Sequence, residues 1–278
     1  MSQNRPVHNW FLVTVFFVFV LILSIILGQY INNSSKVTAD FSGDFIFALR
    51  KFIPEKEIKV PIFVYHYVEY VKDQKDTTRK SLAITPNVFE AQMVTLKEGG
   101  YSFITFKDVE RYLRGVQKLP EKPIIITFDD GYEDFYTDVF PIIKKHSIQV
   151  TQYLVVNFIG KPNYLKDEQI RTLIKSGLVE FGSHTLTHVN LKSVPAAQAL
   201  YEISESKNSL ERIYQMPIST FAYPYGAYTE EISRIVEKEG YSTAVTTEDG
   251  ITIKKDERFR LKRVHPGIDT GVTLLRRL

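Results

Sequence analysis

Two pairs of polar residues have the types and the spacing needed to bind a metal ion and to activate water. Asp129 and Asp130 directly follow a run of apolar, mainly β-branched residues. His184 and His188 are four positions apart, which predicts both imidazoles on one face of a helical turn. Each pair alone is ambiguous, because paired acids before a glycine often only form a turn. Together, one Asp and two His supply three ligands and leave a position for water, as in a catalytic metal site.

A third polar segment, residues 223–226, also follows a short apolar run. The aspartates come after a predicted strand at 124–128, and the histidines come after one at 178–181. In a barrel of parallel strands, catalytic residues lie just past the C-terminal ends of the strands. The three segments are therefore expected to converge on one rim.

From Val60 onward, short apolar runs alternate with helical patterns, which predicts βαβ units, a parallel sheet and, with seven or eight units, a barrel. The predicted strands are 60–67, 102–105, 124–128, 150–156, 178–181, 218–223, 242–246 and 259–264. The predicted helices are one that begins at Pro86 and stops at Gly99, and those at 106–113, 135–145, 168–175, 195–213 and 230–239.

Near the N-terminus, residues 10–28 form a run of 19 residues without a charge. A helix of about 20 apolar residues crosses a bilayer, so the run predicts an uncleaved membrane anchor. A cleaved signal peptide is the main alternative, but its apolar region is about 7–15 residues long and ends at a small-residue site. Arg5 before the run and Lys36 after it weakly favour a cytoplasmic N-terminus. The predicted organisation is a cytoplasmic tail at 1–9, a transmembrane anchor at 10–28, a tether at 29–58 and a catalytic domain at 59–278.

The composition excludes several kinds of site. The chain has no cysteine, which rules out disulfides, thiolate nucleophiles and cysteine-ligated zinc. The formal net charge is +3, and the basic residues are interspersed with acidic ones. No surface for nucleic acid is therefore expected.

Three segments, in this order, resemble the NodB-like polysaccharide deacetylases, carbohydrate esterase family 4. They are TFDDGY at 127–132, SHTLTH at 183–188 and FAYPYG at 221–226. The strand PIFVYHYV and the stretch at 150–160 are similar as well, and the likeness spans about residues 60–265. The resemblance implies an α/β fold, a distorted and partly open (β/α) barrel with about seven strands, here preceded by one transmembrane helix.

The same resemblance implies roles for the two polar pairs. Asp129 would be the general base toward a water whose pKa the metal lowers. Asp130, His184 and His188 would hold one divalent metal ion. Zn²⁺ is the expected ion, with Co²⁺, Ni²⁺ or Fe²⁺ as alternatives.

The resemblance also implies a border for the substrate. Pro224 and Tyr225 would flank it, with the backbone N–H of Tyr225 directed at the developing oxyanion. Tyr223 and Tyr132 cluster near the proposed rim, and aromatic faces suit sugar rings. Core packing is the competing interpretation for at least half of the aromatic residues in this region, because aromatics are common throughout the chain.

Two histidines are candidates for the acid that protonates the leaving amine, since imidazole titrates near neutrality. Many relatives carry this acid in a Leu-x-His context on a late strand, and the segment 261–265, which ends at His265, is close but spaced differently. A subgroup that resembles exported poly-N-acetylglucosamine deacetylases begins with a Tyr-His strand, as Tyr65 and His66 do here. We favour His66 and keep His265 as the alternative.

This sequence departs from the pattern of its relatives at one further point. Many relatives have an arginine that orients the base where this chain has Ala222 and Tyr223. The sequence therefore leaves open how Asp129 is held.

The expected activity is metal-dependent hydrolysis of N-acetyl groups from an N-acetylglucosamine-containing polysaccharide. The expected location is the cell membrane, with a single pass and the catalytic domain outside the cytoplasm. One alternative is an O-acetyl or small-ester esterase that uses the same site. Another is a glycan-binding homologue without activity, against which the complete set of two aspartates and two histidines argues.

Overall fold

The computed structural model describes residues 57–73 and 75–278. The predicted tail at 1–9, the anchor at 10–28 and nearly all of the tether at 29–58 lie outside the described residues. Among the residues that are described, no helix is both long enough and apolar enough to cross a membrane.

The described part of the chain alternates strands and helices, as the apolar pattern predicts. The strands are β1 (Ile58–Lys59), β2 (Ile62–Tyr65), β3 (Tyr67–Val68), β4 (Ala83–Ile84), β5 (Ser102–Phe103), β6 (Pro123–Phe128), β7 (Val150–Leu154), β8 (Val179–Ser183), β9 (Thr220–Ala222), β10 (Thr243–Val245) and β11 (Thr252–Ile253). The helices are α1 (Thr77–Leu82), α2 (Pro86–Glu98), α3 (Phe106–Leu113), α4 (Phe140–His146), α5 (Asp167–Ser176), α6 (Ala196–Tyr214), α7 (Glu230–Lys238) and α8 (Gly271–Leu275).

A parallel sheet of seven strands in the described residues positions the site. Its order is β10-β9-β8-β7-β6-β2, and β5 pairs with β6 in addition. All residues of β2, β6, β7 and β8 are buried. Such continuous burial is what a parallel sheet requires when helices cover one face and the barrel interior occupies the other. The predicted α/β fold, a parallel sheet of about seven strands in a partly open barrel, is confirmed in the described residues.

Side chains along β6 point alternately to two hydrophobic clusters, and this alternation directs Asp129 into the barrel. Ile124 and Ile126 pack into the large cluster beneath the helices. Ile125 packs into a smaller cluster that also contains Ile62 of β2. Side chains two residues apart share a face of a strand, and so residues 127 and 129 follow Ile125 toward the interior. The barrel is apolar at its base and becomes polar toward the rim.

An irregular segment joins the two edge strands of the sheet. The Leu261 N–H donates to the carbonyl of Ala244 on β10, at 2.8 Å. The Val264 N–H donates to the carbonyl of Ile62 on β2, also at 2.8 Å. This segment, residues 261–264, therefore closes the gap between β10 and β2.

The prediction of a regular strand at 259–264 is wrong. The Arg263 N–H donates to the carbonyl of Glu248 at 2.8 Å and not to an edge strand. The hydrogen-bond ladder is interrupted there, so that only isolated bridges remain at Leu261 and Val264.

The helices confirm the sequence signals at their ends, with one exception. The Thr85 hydroxyl caps α2 by accepting the Val88 N–H at 3.3 Å, and Gly99 ends the helix. The helix predicted at 135–145 instead begins as a π-helical turn, Phe135–Val139, before α4. Pro141 explains the difference, because it has no amide hydrogen for the regular i→i−4 pattern.

Candidate active site

Asp130, His184 and His188 form a group that could hold a metal ion. One ligand atom from each lies within 4.8 Å of the others. The Oδ1 atom of Asp130 is 3.4 Å from Nε2 of His184 and 3.1 Å from Nε2 of His188. This Oδ1 is buried and has no hydrogen-bond partner among the described residues. Buried acceptors are normally paired, and a divalent cation between these atoms would supply the partner. The residues therefore fit the metal that the sequence predicts.

The environment of His184 fixes which nitrogen faces this group. Its Nδ1 lies 2.7 Å from the carbonyl of Ala222 and must donate to it. The lone pair of the neutral ring is then on Nε2, which faces Asp130. Burial acts to lower the pKa of His184, but the carboxylates of Asp130 and Asp129 outweigh it and raise the pKa. These carboxylates favour positive charge at this point, as a cation site requires.

The chain between the two histidines is a loop, so the predicted helical turn is wrong. Thr185 and His188 have left-handed φ angles of 67° and 62°. The buried carboxylate of Glu202, on α6, accepts the N–H groups of Leu186 and Thr187 at 2.9 and 3.0 Å. The Glu202 carboxylate thus accepts the N–H groups that backbone carbonyls would accept in a helix. It holds the loop in a shape that brings both imidazoles to Asp130.

A left-handed turn separates the two acids. The Asp129 N–H donates to the Tyr65 carbonyl at 3.0 Å, which continues the pairing of β6 with β2. Asp130 has a φ of 71° and leaves the strand. Asp129 therefore keeps the inward direction of its strand, whereas Asp130 turns toward the histidine loop.

Asp129 is held by a buried arginine, Arg263, that the sequence analysis missed. Its Nη1 and Nη2 atoms donate to the two carboxylate oxygens of Asp129 at 2.8 and 2.7 Å. The same guanidinium donates to the Thr246 carbonyl at 2.7 Å and to the Thr127 hydroxyl at 3.1 Å. Burial raises the pKa of Asp129, but the charge and hydrogen bonds of Arg263 outweigh it and hold the pKa below its ordinary value. This carboxylate is oriented and ionised.

A signal for Arg263 is present in the sequence. Leu261, Arg263 and His265 are spaced by two, so an extended segment directs them to one side. Arg263 is only 1% exposed, and a buried arginine requires a partner. The arginine missing at the usual position is thus replaced from the segment that closes the barrel.

Both candidate acids lie beside Asp129. The rings of His66 and His265 are nearly parallel, 8° apart, with centroids 6.1 Å from each other. Both line a cavity of about 480 Å³. Burial lowers the pKa of His66, opposed by the charges of Asp129 and Asp130. Burial also lowers the pKa of His265. The structure brings the two predicted donors to one place.

Aromatic rings continue from this site across the rim. Tyr225 is 63% exposed and its ring meets the edge of His188, with centroids 4.7 Å apart. Tyr132 stacks between Tyr67 and Tyr164, at centroid distances of 4.0 and 5.1 Å. Burial and then the charge of Asp130 raise the pKa of Tyr132. Two of the predicted substrate contacts, Tyr132 and Tyr225, are therefore next to the candidate metal group.

The other two predicted contacts are buried. Tyr223 is fully buried, and its hydroxyl donates to the Phe259 carbonyl at 2.9 Å. Tyr223 and Phe221 pack in the cluster beneath the helices, whereas Ala222 faces the barrel interior. Alternation past the end of β9 sends the Tyr223 side chain away from the rim, which corrects its prediction as a substrate contact. Pro224 is buried as well.

Comparison with known proteins identifies the family. The sequence model of the polysaccharide deacetylase family matches residues 116–244. A Bacillus subtilis protein, YxkH, whose name places it in the same family, is 33% identical over 216 residues, 77% of this chain and 74% of that protein. A poly-beta-1,6-N-acetyl-D-glucosamine N-deacetylase of Staphylococcus aureus is 24% identical over 228 residues, 77% of this chain and 78% of that protein.

A solved structure of a deacetylase has a similar fold. The structure of the Streptococcus pyogenes deacetylase PplD in complex with acetate superposes with a TM-score of 0.73 and 26% identity, over 80% of this chain and 98% of that chain. The chain belongs to the polysaccharide deacetylase family, as its motifs imply. Its relatives are polysaccharide N-deacetylases, which are hydrolases that act on amide bonds.

Proposed function

We propose that this chain removes N-acetyl groups from a polymer that contains N-acetylglucosamine. The reaction would use one divalent ion, preferably Zn²⁺, held by Asp130, His184 and His188. One observation carries the proposal. Asp129, which Arg263 orients, is directly followed by Asp130, which forms a potential metal site with two histidines. The similarity to a poly-beta-1,6-N-acetyl-D-glucosamine N-deacetylase supports this class of substrate.

When bound, the ion would lower the pKa of a water molecule and polarise the acetyl carbonyl. Asp129 takes the proton from the attacking water. A carboxylate has about four lone-pair sites, and the two contacts with Arg263 leave others free to accept that proton. Because Arg263 also fixes the plane of the carboxylate, the acceptor is oriented before the substrate arrives.

The charge that develops on the acetyl oxygen needs a fixed donor, and we assign the backbone N–H of Tyr225 to this role. Two observations support the assignment: the left-handed φ of 60° at Tyr225 and the contact of its ring with His188. His66 then donates a proton to the leaving nitrogen, with His265 as the alternative donor. The products are acetate and a glucosamine residue.

We also propose that residues 10–28 anchor the chain in the cell membrane, with the catalytic domain outside the cytoplasm. The uncharged run supports this location. The full chain is expected in the membrane fraction, and external protease should degrade the catalytic domain in intact cells. A mature chain that begins near residue 30 in the culture medium would contradict the anchor.

The experiment that tests the function measures acetate release by the full chain together with its metal content. The substrates are β-1,6-linked and β-1,4-linked N-acetylglucosamine oligomers and an O-acetylated sugar. Release from at least one N-acetyl oligomer, abolished by a chelator and restored by Zn²⁺, is the expected result. Release from the ester alone would indicate an esterase. No release from a protein that carries stoichiometric metal would indicate a glycan-binding homologue.

A further inference from the structure

A second polar cavity, of about 310 Å³, adjoins the tyrosines beside the active site. Arg79 lines it and lies over the Tyr67 ring, 4.4 Å from the centroid. Tyr67 in turn stacks on Tyr132. We call this space the acidic cavity, and the residues that matter here are Glu69, Tyr70, Glu133, Asp134, Asp138 and Asn163.

The charges around the acidic cavity favour a cation. Four carboxylates and two basic side chains line it. One of the two basic groups, Arg79, is already paired with Glu69. Glu133 is paired with Lys166, which lies outside the lining, at 2.9 Å. Asp134 and Asp138 then face one basic side chain, Lys72, so the wall has an excess of negative charge when Asp134 is ionised.

One of these carboxylates is incompletely bonded. Asp134 is only 8% exposed. Its Oδ2 accepts the Val68 N–H at 2.6 Å, but its Oδ1 is buried without a hydrogen-bond partner among the described residues. Burial raises the pKa of Asp134 to about 7. A buried carboxylate oxygen without a partner is unfavourable, and a cationic hydrogen-bond donor in the cavity would relieve it.

The cavity suits a cation that is part of a sugar. Among residues 57–73 and 75–278, only the active-site group brings three ligand atoms close enough for a metal ion, so these carboxylates do not converge as metal ligands do. The volume is in the range of small-ligand sites. Tyr70, which is 58% exposed, offers an aromatic face at the rim, and Asn163 offers an amide for hydroxyl groups.

We propose that the acidic cavity binds a glucosaminium residue, a sugar of the same polymer from which the acetyl group has already been removed. The inference rests on the proposed function, because that reaction converts a neutral acetamide into a primary amine that is protonated near neutral pH. The enzyme would then prefer polymer that is already partly deacetylated. New amines would form next to existing ones rather than at random.

A binding measurement tests this subsite without turnover. A β-1,6-linked glucosamine tetrasaccharide and its fully N-acetylated counterpart are titrated, at low ionic strength, into the full chain with His184→Ala and His188→Ala. We expect the amine oligomer to bind about tenfold more tightly, the effect of one charge-assisted hydrogen bond. Added salt should reduce the preference.

Two cavity variants and one matched control complete the test. Asp134→Asn and, separately, Asp138→Asn should each reduce the preference severalfold, and the second remains informative if the first fails to fold. Asp167→Asn removes an exposed carboxylate on α5, paired with Arg171, and should leave the preference unchanged. Equal affinity for the two oligomers, or a preference that survives in both cavity variants, would overturn the inference.

The proposed function and this inference fail in different ways. If acetate is released at equal rates from fully acetylated and partly deacetylated oligomers, and no binding preference is seen, the subsite is wrong and the function stands. If no N-acetyl oligomer releases acetate but the binding preference is present, the cavity binds amino sugars and the proposed function is wrong.

Discussion

Asp129 and Asp130 are neighbours in the sequence and both are buried, yet their surroundings differ in kind. Arg263 donates to both oxygens of Asp129, and its guanidinium also donates from Nε to the Thr246 carbonyl and from Nη1 to the Thr127 hydroxyl. Asp130 has an oxygen without a hydrogen-bond partner, placed between two imidazole nitrogens. Within the described residues, both oxygens of Asp129 accept hydrogen bonds, whereas one oxygen of Asp130 accepts none.

The difference shows how a fold separates orientation from binding. A buried ion pair whose hydrogen bonds are all satisfied is rigid, and breaking it leaves an uncompensated charge. A buried acceptor with no partner is instead unfavourable until a water molecule, an ion or another ligand supplies one. The left-handed turn at Asp130, φ 71°, is what allows adjacent residues to take these two roles.

The largest effect is expected from removing the ligands that face Asp130. With His184→Ala and His188→Ala, only one protein ligand remains, so metal content and acetate release should both fall, the latter by about 10³-fold or more. The fold should persist, because the site lies at the rim. His146→Ala is the control, since that histidine contacts Glu90 on the protein surface. A double variant with stoichiometric metal and normal turnover would refute the ligand assignment.

Removing the proposed proton donor separates the two histidines beside Asp129. His66→Ala should slow amide hydrolysis by about 10²–10⁴-fold and activated esters far less, because their leaving groups need no proton. His265→Ala should act mainly on KM.

The pH profile gives a second test of the same assignment. A general acid works only while protonated, and burial lowers the pKa of His66 from its ordinary value of 6.5. The kcat/KM for amides should therefore fall as pH rises through a midpoint below 6.5, and this limb should disappear in His66→Ala. The opposite pattern, with the amide defect and the lost limb in His265→Ala, would transfer the role to His265.

Arg263→Lys tests whether the two hydrogen bonds from Arg263 position Asp129. Lysine keeps the charge but cannot make the two parallel hydrogen bonds. A displaced base should reduce kcat by about 10²-fold with little change in KM. Metal content should be unchanged, since Asp130 and the histidines are untouched. An unaltered kcat would show that the two-point contact does not position the base.

A third buried acid, Asp134, extends the comparison through the pH dependence of stability. One of its oxygens accepts a hydrogen bond, and the other has no partner among the described residues. Its pKa is raised by burial from 3.8 to about 7. For an acid with a raised pKa, stability is greatest when it is protonated and is lost as pH rises through the folded-state pKa. The Tm of Asp134→Asn relative to wild type should increase between pH 4 and pH 7 by about 10 °C. A constant difference would show that Asp134 does not titrate in this range.

The sequence predicted the parts of the site that depend on strand ends. The apolar run before Asp129 predicted β6, and the run before His184 predicted β8 with only small errors in their bounds. Parallel strands bring their C-terminal ends together, so the meeting of Asp130 with the two histidines was predictable. The capped helix at Pro86 was predictable from local chemistry in the same way.

The parts that failed depend on contacts between distant residues. The loop from His184 to His188 takes its shape from Glu202, and nothing within the loop specifies that carboxylate. Arg263 reaches Asp129 across 134 positions of sequence. Tyr223 was placed at the rim because its neighbours are there, but alternation past β9 buries its ring. Side-chain partners of this kind follow from the tertiary structure and not from local spacing.

The account predicts that Asp129 and Asp130 respond differently to loss of charge. Urea unfolding of Asp129→Asn and Asp130→Asn, each with a chelator and with Zn²⁺, tests this most directly. Asp129→Asn should lose about 3–5 kcal/mol with the chelator, because the buried charge of Arg263 loses its partner, and should still be stabilised by Zn²⁺. Asp130→Asn should lie within about 1 kcal/mol of wild type with the chelator and should gain nothing from Zn²⁺. Equal losses in the two variants, or Zn²⁺ stabilisation of Asp130→Asn, would contradict the division of roles between the two acids.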